Sequence, residues 1–172
     1  SNTNCNIFHD SLKMAKTLNK KINCSWSLRR LKEEHDKWAE EITDIVFTDA
    51  NREMDICEEF KQFAKQTGYQ LLTQTKEMAL EGKKMNHCVA TYVNQVDNGS
   101  CAIYHIADYT LQIFIKWDDG KRILSMGQFS GYGNNILPSK ELREKVQKQI
   151  NKFNENITGK KNIKVKEINN TI

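Results

Sequence analysis

The chain has 172 residues, of which 38% are hydrophobic and 28% charged, and carries a net charge of +4. This length supplies material for one hydrophobic core, and this balance excludes both a disordered chain and a membrane-spanning one. No apolar run approaches the roughly 18 residues of a spanning helix, and the first residues lack the basic-then-apolar order of a secretory leader, so a soluble cytoplasmic protein with no membrane partner is expected.

Taken in chain order, Leu12, Ala15 and Leu18 suggest a short first helix. The pattern sharpens where Leu28, Leu31, His35, Trp38, Ile42 and Ile45 recur at spacings of three and four, which puts them on one helical stripe. Ser25 or Ser27 supplies its N-cap. On such a stripe His35 reads as a core histidine bonded to a carbonyl. Residues 55–66 form another amphipathic helix, ended by Gly68, and residues 69–73 a short strand. Thr75 caps a two-turn helix stopped by Gly82. Asn86 then caps the next, whose buried stripe is Val89, Tyr92, Val93 and Val96.

After Gly99 the period changes from 3.6 to 2. Residues 101–107, 109–117 and 122–129 are strands joined by links too short for parallel crossovers, so the sheet is an antiparallel meander. Asp119-Gly120 is a hairpin turn, because a tight turn needs positive φ. A glycine-rich loop (residues 130–135) leads to Pro138 and a helix capped by Ser139, with Leu142, Val146, Gln149, Ile150 and Phe153 inward. From Thr158 the chain reads as a frayed or edge-strand tail. The predicted fold is α+β: a three- to four-stranded meander, one face covered by helices from the N-terminal half and by a C-terminal helix. One domain spans 1–172, with a helical lead-in (1–66), an α+β core (69–157) and a basic tail (158–172).

The cysteines, Cys5, Cys24, Cys57, Cys88 and Cys101, are odd in number and include no CxxC pair. Reduced thiols follow, with neither a disulfide framework nor a zinc knuckle. His9, His35, His87 and His105 also lack ligand spacing, so no metal or other cofactor is expected. Residues 139–172 carry nine Lys and Arg against four Asp and Glu, a net +5. Lys140, Arg143, Lys145, Lys148, Lys152, Lys160, Lys161, Lys164 and Lys166 could attract nucleic-acid phosphates or be a solvated helix face.

Chemistry concentrates in residues 81–92 (EGKKMNHCVATY). His87 and Cys88 are placed in the first turn of a helix, where free amides and the macrodipole lower both pKa values. This stretch, its continuation through Gly99 to His105, the later GQFSGYGN and the early LKEEHDKW resemble the PcfJ-like family, encoded by bacterial plasmids, phages and related elements. The family pattern falls on Glu81-Gly82, His87-Cys88-Val89, Tyr92, Gly99, and Gln128 with Gly131 or Gly133 and Asn134. His87 and Tyr92 are its hallmark positions. Where the family often has an arginine after the first meander strand, this chain has Ala107-Asp108. The resemblance implies a mobile-element accessory protein and brings a site without a reaction.

Three functional readings stay open. In the first, His87 is the general acid or base of an enzyme acting on a nucleotide or nucleic acid. Cys88 or Tyr92 then serves as proton donor or nucleophile, and Gln128 and Asn134 orient the substrate. Glu81, Thr91, Gly131 and Gly133 bind it, the glycine loop cradling a phosphate. In the second, the chain is a non-catalytic nucleic-acid- or protein-binding module whose His-Cys-Tyr cluster is structural. In the third, Cys88 is a hydrolase nucleophile with His105 as its base and Gln112 or Gln128 nearby.

Overall fold

The computed structural model describes the backbone of residues 2–169 and the side chains of residues 6–157. Two helices, α1 (Asn2–Thr17) and α2 (Leu28–Thr48), pack together through Met14, Ala15, Trp38, Ala39 and Ile42. Ser27 is the cap of α2, its Oγ accepting from the Arg30 amide at 3.2 Å. Only the middle of the stripe is buried: Leu31, Trp38 and Ile42 are covered, whereas Leu28 and Ile45 stand exposed at its ends. His35 lies at its margin. Its Nδ1 meets Asp36 Oδ1 at 3.0 Å rather than a backbone carbonyl, which corrects the core-histidine expectation.

The helix α3 (Glu58–Thr67) buries Phe60 and Phe63 completely and ends at Gly68, whose φ of 76° is open to glycine at no steric cost. Four strands follow in a single sheet of order β1-β2-β3-β4, antiparallel throughout: β1 (Gln70–Leu71), β2 (Cys101–Ile106), β3 (Tyr109–Asp118) and β4 (Lys121–Ser130). Asp119 and Gly120 take φ of 48° and 71°, the two positive values a two-residue hairpin turn demands.

The register sorts the sheet into two faces. Ala102, Tyr104, Leu111, Ile113, Leu124 and Phe129 point to an apolar face packed by α3 and the C-terminal helix α6 (Lys140–Asn169). There the Tyr104 hydroxyl donates to the Phe60 carbonyl at 2.7 Å, and Phe63 meets Tyr104 and Phe153 edge-on, each at 5.7 Å between centroids. Ile103, His105, Thr110, Gln112 and Ser130 form the other, polar face beneath α1, α2 and α4 (Thr75–Met85). Helices therefore cover both faces, where one was expected. The reason is legible in β2, in which five of six residues are buried without alternation.

Two local expectations fail between the sheet and α4. Gln74, not Thr75, precedes the first turn, and the Thr75 hydroxyl instead accepts the Arg52 amide at 3.2 Å. Gly82 lies inside α4, and Asn86, at φ 50°, ends that helix rather than starting the next. After a short link come a 3-10 turn (Val89–Tyr92) and α5 (Val93–Asp97).

Ser139 caps the C-terminal helix through its Oγ, 3.2 Å from the Leu142 amide. Asn154 ties α6 to the edge strand: its Oδ1 accepts from Leu124 N at 2.8 Å and its Nδ2 donates to Leu124 O at 2.9 Å. Backbone helix continues to Asn169, so the tail expected to fray or form an edge strand prolongs α6. A lone Gly159 within it costs only about 1 kcal/mol against alanine. Lys140, Arg143, Lys145, Lys148 and Lys152 are exposed; the side chains of Lys160, Lys161, Lys164 and Lys166 lie outside the described residues.

Candidate functional site

Gly82 and Asn86 together place the His-Cys pair. In the left-handed conformation of Asn86 the His87 amide reaches back to Gly82 O at 3.1 Å and the Asn86 amide to Lys83 O at 3.4 Å, the paired bonds of a Schellman cap. A Cβ on residue 82 would stand 3.1 Å from the His87 carbonyl oxygen and close to Thr43 and Val89. Glycine is thus needed there for close approach, not as a helix stop.

The returning link lays His87 over the polar sheet face. Val89 N–H donates to His87 Nδ1 at 3.3 Å, which leaves the ring proton on Nε2. Nε2–H then donates to Thr110 Oγ1 at 2.9 Å, and the Thr110 hydroxyl donates to Glu81 Oε1 at 2.5 Å. His105 Nδ1 donates to the same carboxylate oxygen at 2.7 Å. Burial lowers the His87 pKa, outweighing the attraction of Glu81, so the imidazole is neutral at pH 7.

Around this relay the structure brings His87, Cys88, Tyr92, Gln128 and Asn134 onto one cavity of about 20 Å³, floored by Ile103, Thr110, Gln112 and Ser130. Such a volume holds about one water. The same five residues, with Gln112, also line a cleft of about 1250 Å³ walled by α1 and α2. Ser130 Oγ donates to Asn134 Oδ1 at 2.9 Å and so fixes that amide. From α1, Asp10 accepts the Tyr92 hydroxyl at 3.3 Å. Burial, and after it the nearby Cys88 thiol and Asp10, push the Tyr92 pKa up, which keeps the phenol protonated.

Cys88 does not have the environment expected of it. It precedes a 3-10 turn, not an α-helix, and both the Thr91 amide (3.0 Å) and the Thr91 hydroxyl (2.7 Å) bond its carbonyl oxygen. Burial pushes its thiol up to about 11, and the carboxylates of Asp10 and Asp36 add to the effect. His105 is turned to Glu81 and does not line the cavity, so no Cys-His pair forms.

The remaining site expectations divide. Glu81 is buried under the relay as its anchor instead of facing a substrate, and Thr91 caps its own turn. Gly133 lines the cleft, whereas Gly131 is buried against Ile136. Three loop amides are satisfied internally, Gly131 by Ile136 O (2.6 Å), Asn134 by Gly131 O (3.1 Å) and Asn135 by Tyr132 O (3.4 Å), and so are already engaged within the loop. The residues missed were Asp10, Thr110 and Ser130. Thr110 and Gln112 were detectable as polar residues alternating on a mostly apolar strand; nothing in the helical pattern marks Asp10. Among the described residues no three His, Cys, Asp or Glu side chains gather as metal ligands.

An α+β fold with an open cleft on its polar sheet face, floored by a neutral imidazole, a phenol and side-chain amides, defines the class of this protein. The chain belongs to the PcfJ-like protein family, whose model matches residues 7–150, a span holding every residue that lines the cavity and Asp10 beside it. Comparison with curated proteins and with solved structures returns no match. No described helix is long and apolar enough to cross a membrane.

Proposed function

We propose that this chain is an accessory protein of a plasmid- or phage-type element, working in the cytoplasm, and that it engages a nucleotide or nucleic-acid strand in the cleft. His87 is the proton-transfer group, while Gln128 and Asn134 orient the bound molecule. The observation that carries this reading is the convergence of His87, Tyr92, Gln128 and Asn134 on one cavity shared with an open cleft. His87 suits the role because the 3.3 Å bond to its Nδ1 is the weakest in the relay, and that nitrogen accepts a proton once the bond yields. Glu81, reached through Thr110, then offsets the new charge. Cys88 has no nucleophilic part in this mechanism.

Titration calorimetry with nucleotides and short DNA and RNA strands tests the proposal. Gln128→Ala and Asn134→Ala should each weaken binding about tenfold, the loss of one net hydrogen bond. His87→Gln should bind but abolish any turnover. Binding indifferent to both Gln128→Ala and Asn134→Ala would refute it.

A non-catalytic reading draws on the exposed Lys140, Arg143, Lys145, Lys148 and Lys152 of α6, which packs against the sheet face opposite the cleft. It requires binding that falls steeply with salt and responds to charge reversal on α6 but not to Gln128→Ala or Asn134→Ala.

A further inference from the structure

Resting on the nucleotide reading above, we infer that the cleft recognises the uncharged lactam edge of a base, the O=C–N–H face of uracil, thymine or guanine, rather than a phosphate. Gln112 is 5% exposed and lines the cavity, and its Nε2 has no hydrogen-bond partner among the described residues. Beside it lies the Cys101 thiol, a weak acceptor whose pKa the amide lowers, though burial outweighs this and holds the thiol up at about 11. An amide donor this deep, with only a thiol beside it, is open to a stronger acceptor. Gln95 Oε1 is the complement: a buried acceptor, likewise unpartnered among the described residues, on a side chain that lines the same cleft. Both side chains line that cleft, and one donor with one acceptor is what a lactam edge requires of its site, as glutamine and asparagine amides supply to base edges elsewhere.

Size and charge point the same way. A cavity of about 20 Å³ admits a carbonyl oxygen but not a tetrahedral phosphate, so the ring stays in the cleft, where the half-exposed Phe114 offers a stacking surface. The helical wall presents Asp10, Asp36, Glu40 and Asp44, with Lys83 already paired to Asp44 at 2.7 Å, which leaves Lys13 and Lys32 against three carboxylates. A phosphate gains nothing there.

The experiment is titration calorimetry of the full chain with uridine, guanosine, adenosine and inorganic pyrophosphate, repeated on Gln112→Glu and Gln112→Met. Uridine or guanosine should bind at least about tenfold more tightly than adenosine, one hydrogen bond's worth of discrimination, and lose that margin in both variants. Pyrophosphate should give no heat. Equal binding of adenosine, binding of pyrophosphate, or unchanged lactam binding in a folded Gln112→Met protein overturns the inference while leaving a nucleotide site standing. No binding of any nucleoside or nucleotide overturns both. The wild-type ranking decides the matter even where a variant fails to fold.

Discussion

Cys88 carries opposite expectations in sequence and in space. A helix start would have made it a thiolate; burial beside Asp10 and Asp36 instead holds its thiol near 11. Alkylation at pH 7.5 followed by mass spectrometry should label exposed Cys24 at least about tenfold faster than Cys88, because the thiolate is the reacting species. Equal rates would show an activated thiol. His87 makes a pH-dependent contribution whose sign follows from its lowered pKa. The unfolded chain takes up a proton near pH 6.5 while the folded chain resists until lower pH. Stability linked to His87 is therefore complete above about pH 6.5 and declines as pH falls through the window below it. The slope of melting temperature between pH 7 and 5 should be shallower in His87→Gln. An unchanged slope would mean that the imidazole titrates alike in both states.

Between residue and molecule, two small elements aim the site. The Schellman cap at Asn86 turns the chain so that His87 returns over the sheet, and a bulge does the same for Gln128. Register slips between Leu111 and Ile113, whose partners Phe129 and Met126 are three residues apart, so Gly127 and Gln128 share one opposing position. A Cβ on Gly127 would stand 2.3 Å from Phe114 Cε2 and 3.0 Å from Gln112 O. Gly127→Ala should therefore cost about 1–3 kcal/mol in urea unfolding, the usual price of overpacking. In a Phe114→Ala background the penalty should shrink without vanishing, since the contact with Gln112 O remains. Equal penalties in the two backgrounds would place the strain in the backbone alone. The periodicity of β3 and β4 announced two strands, but a bulge leaves no mark in a hydrophobic pattern; only the glycine hinted at it.

At the scale of the whole molecule, two clusters of buried side chains differ in size. The larger joins α3, the sheet and α6; the smaller holds α1 to α2 and meets the larger through Val46. Among its described residues α1 buries only Ser11, Met14 and Ala15, with Phe8 and Leu12 left exposed. Native-state hydrogen exchange should accordingly be slowest in β2 and β3 and markedly faster in α1, local opening costing less where fewer apolar contacts break. Uniform protection would make the helical pair part of the main cooperative unit. Because Asp10 lies on α1 and accepts the Tyr92 hydroxyl, the cleft wall should loosen with that helix.

Sequence alone determined the α+β class, the antiparallel meander, the Asp119-Gly120 turn and the family, because periodicity, turn residues and a spaced motif are local properties. It also picked out His87, Tyr92, Gln128 and Asn134, through the resemblance rather than through any computed geometry. Tertiary structure decided the rest: that Asn86 ends a helix, that Thr110 bridges His87 to Glu81, that Asp10 faces Tyr92, and that burial disarms Cys88. Each of these depends on a partner between 23 and 82 residues away or on access to water, or on which of two helices claims a capping residue. No local pattern encodes such choices; they are settled when the sheet and helices pack.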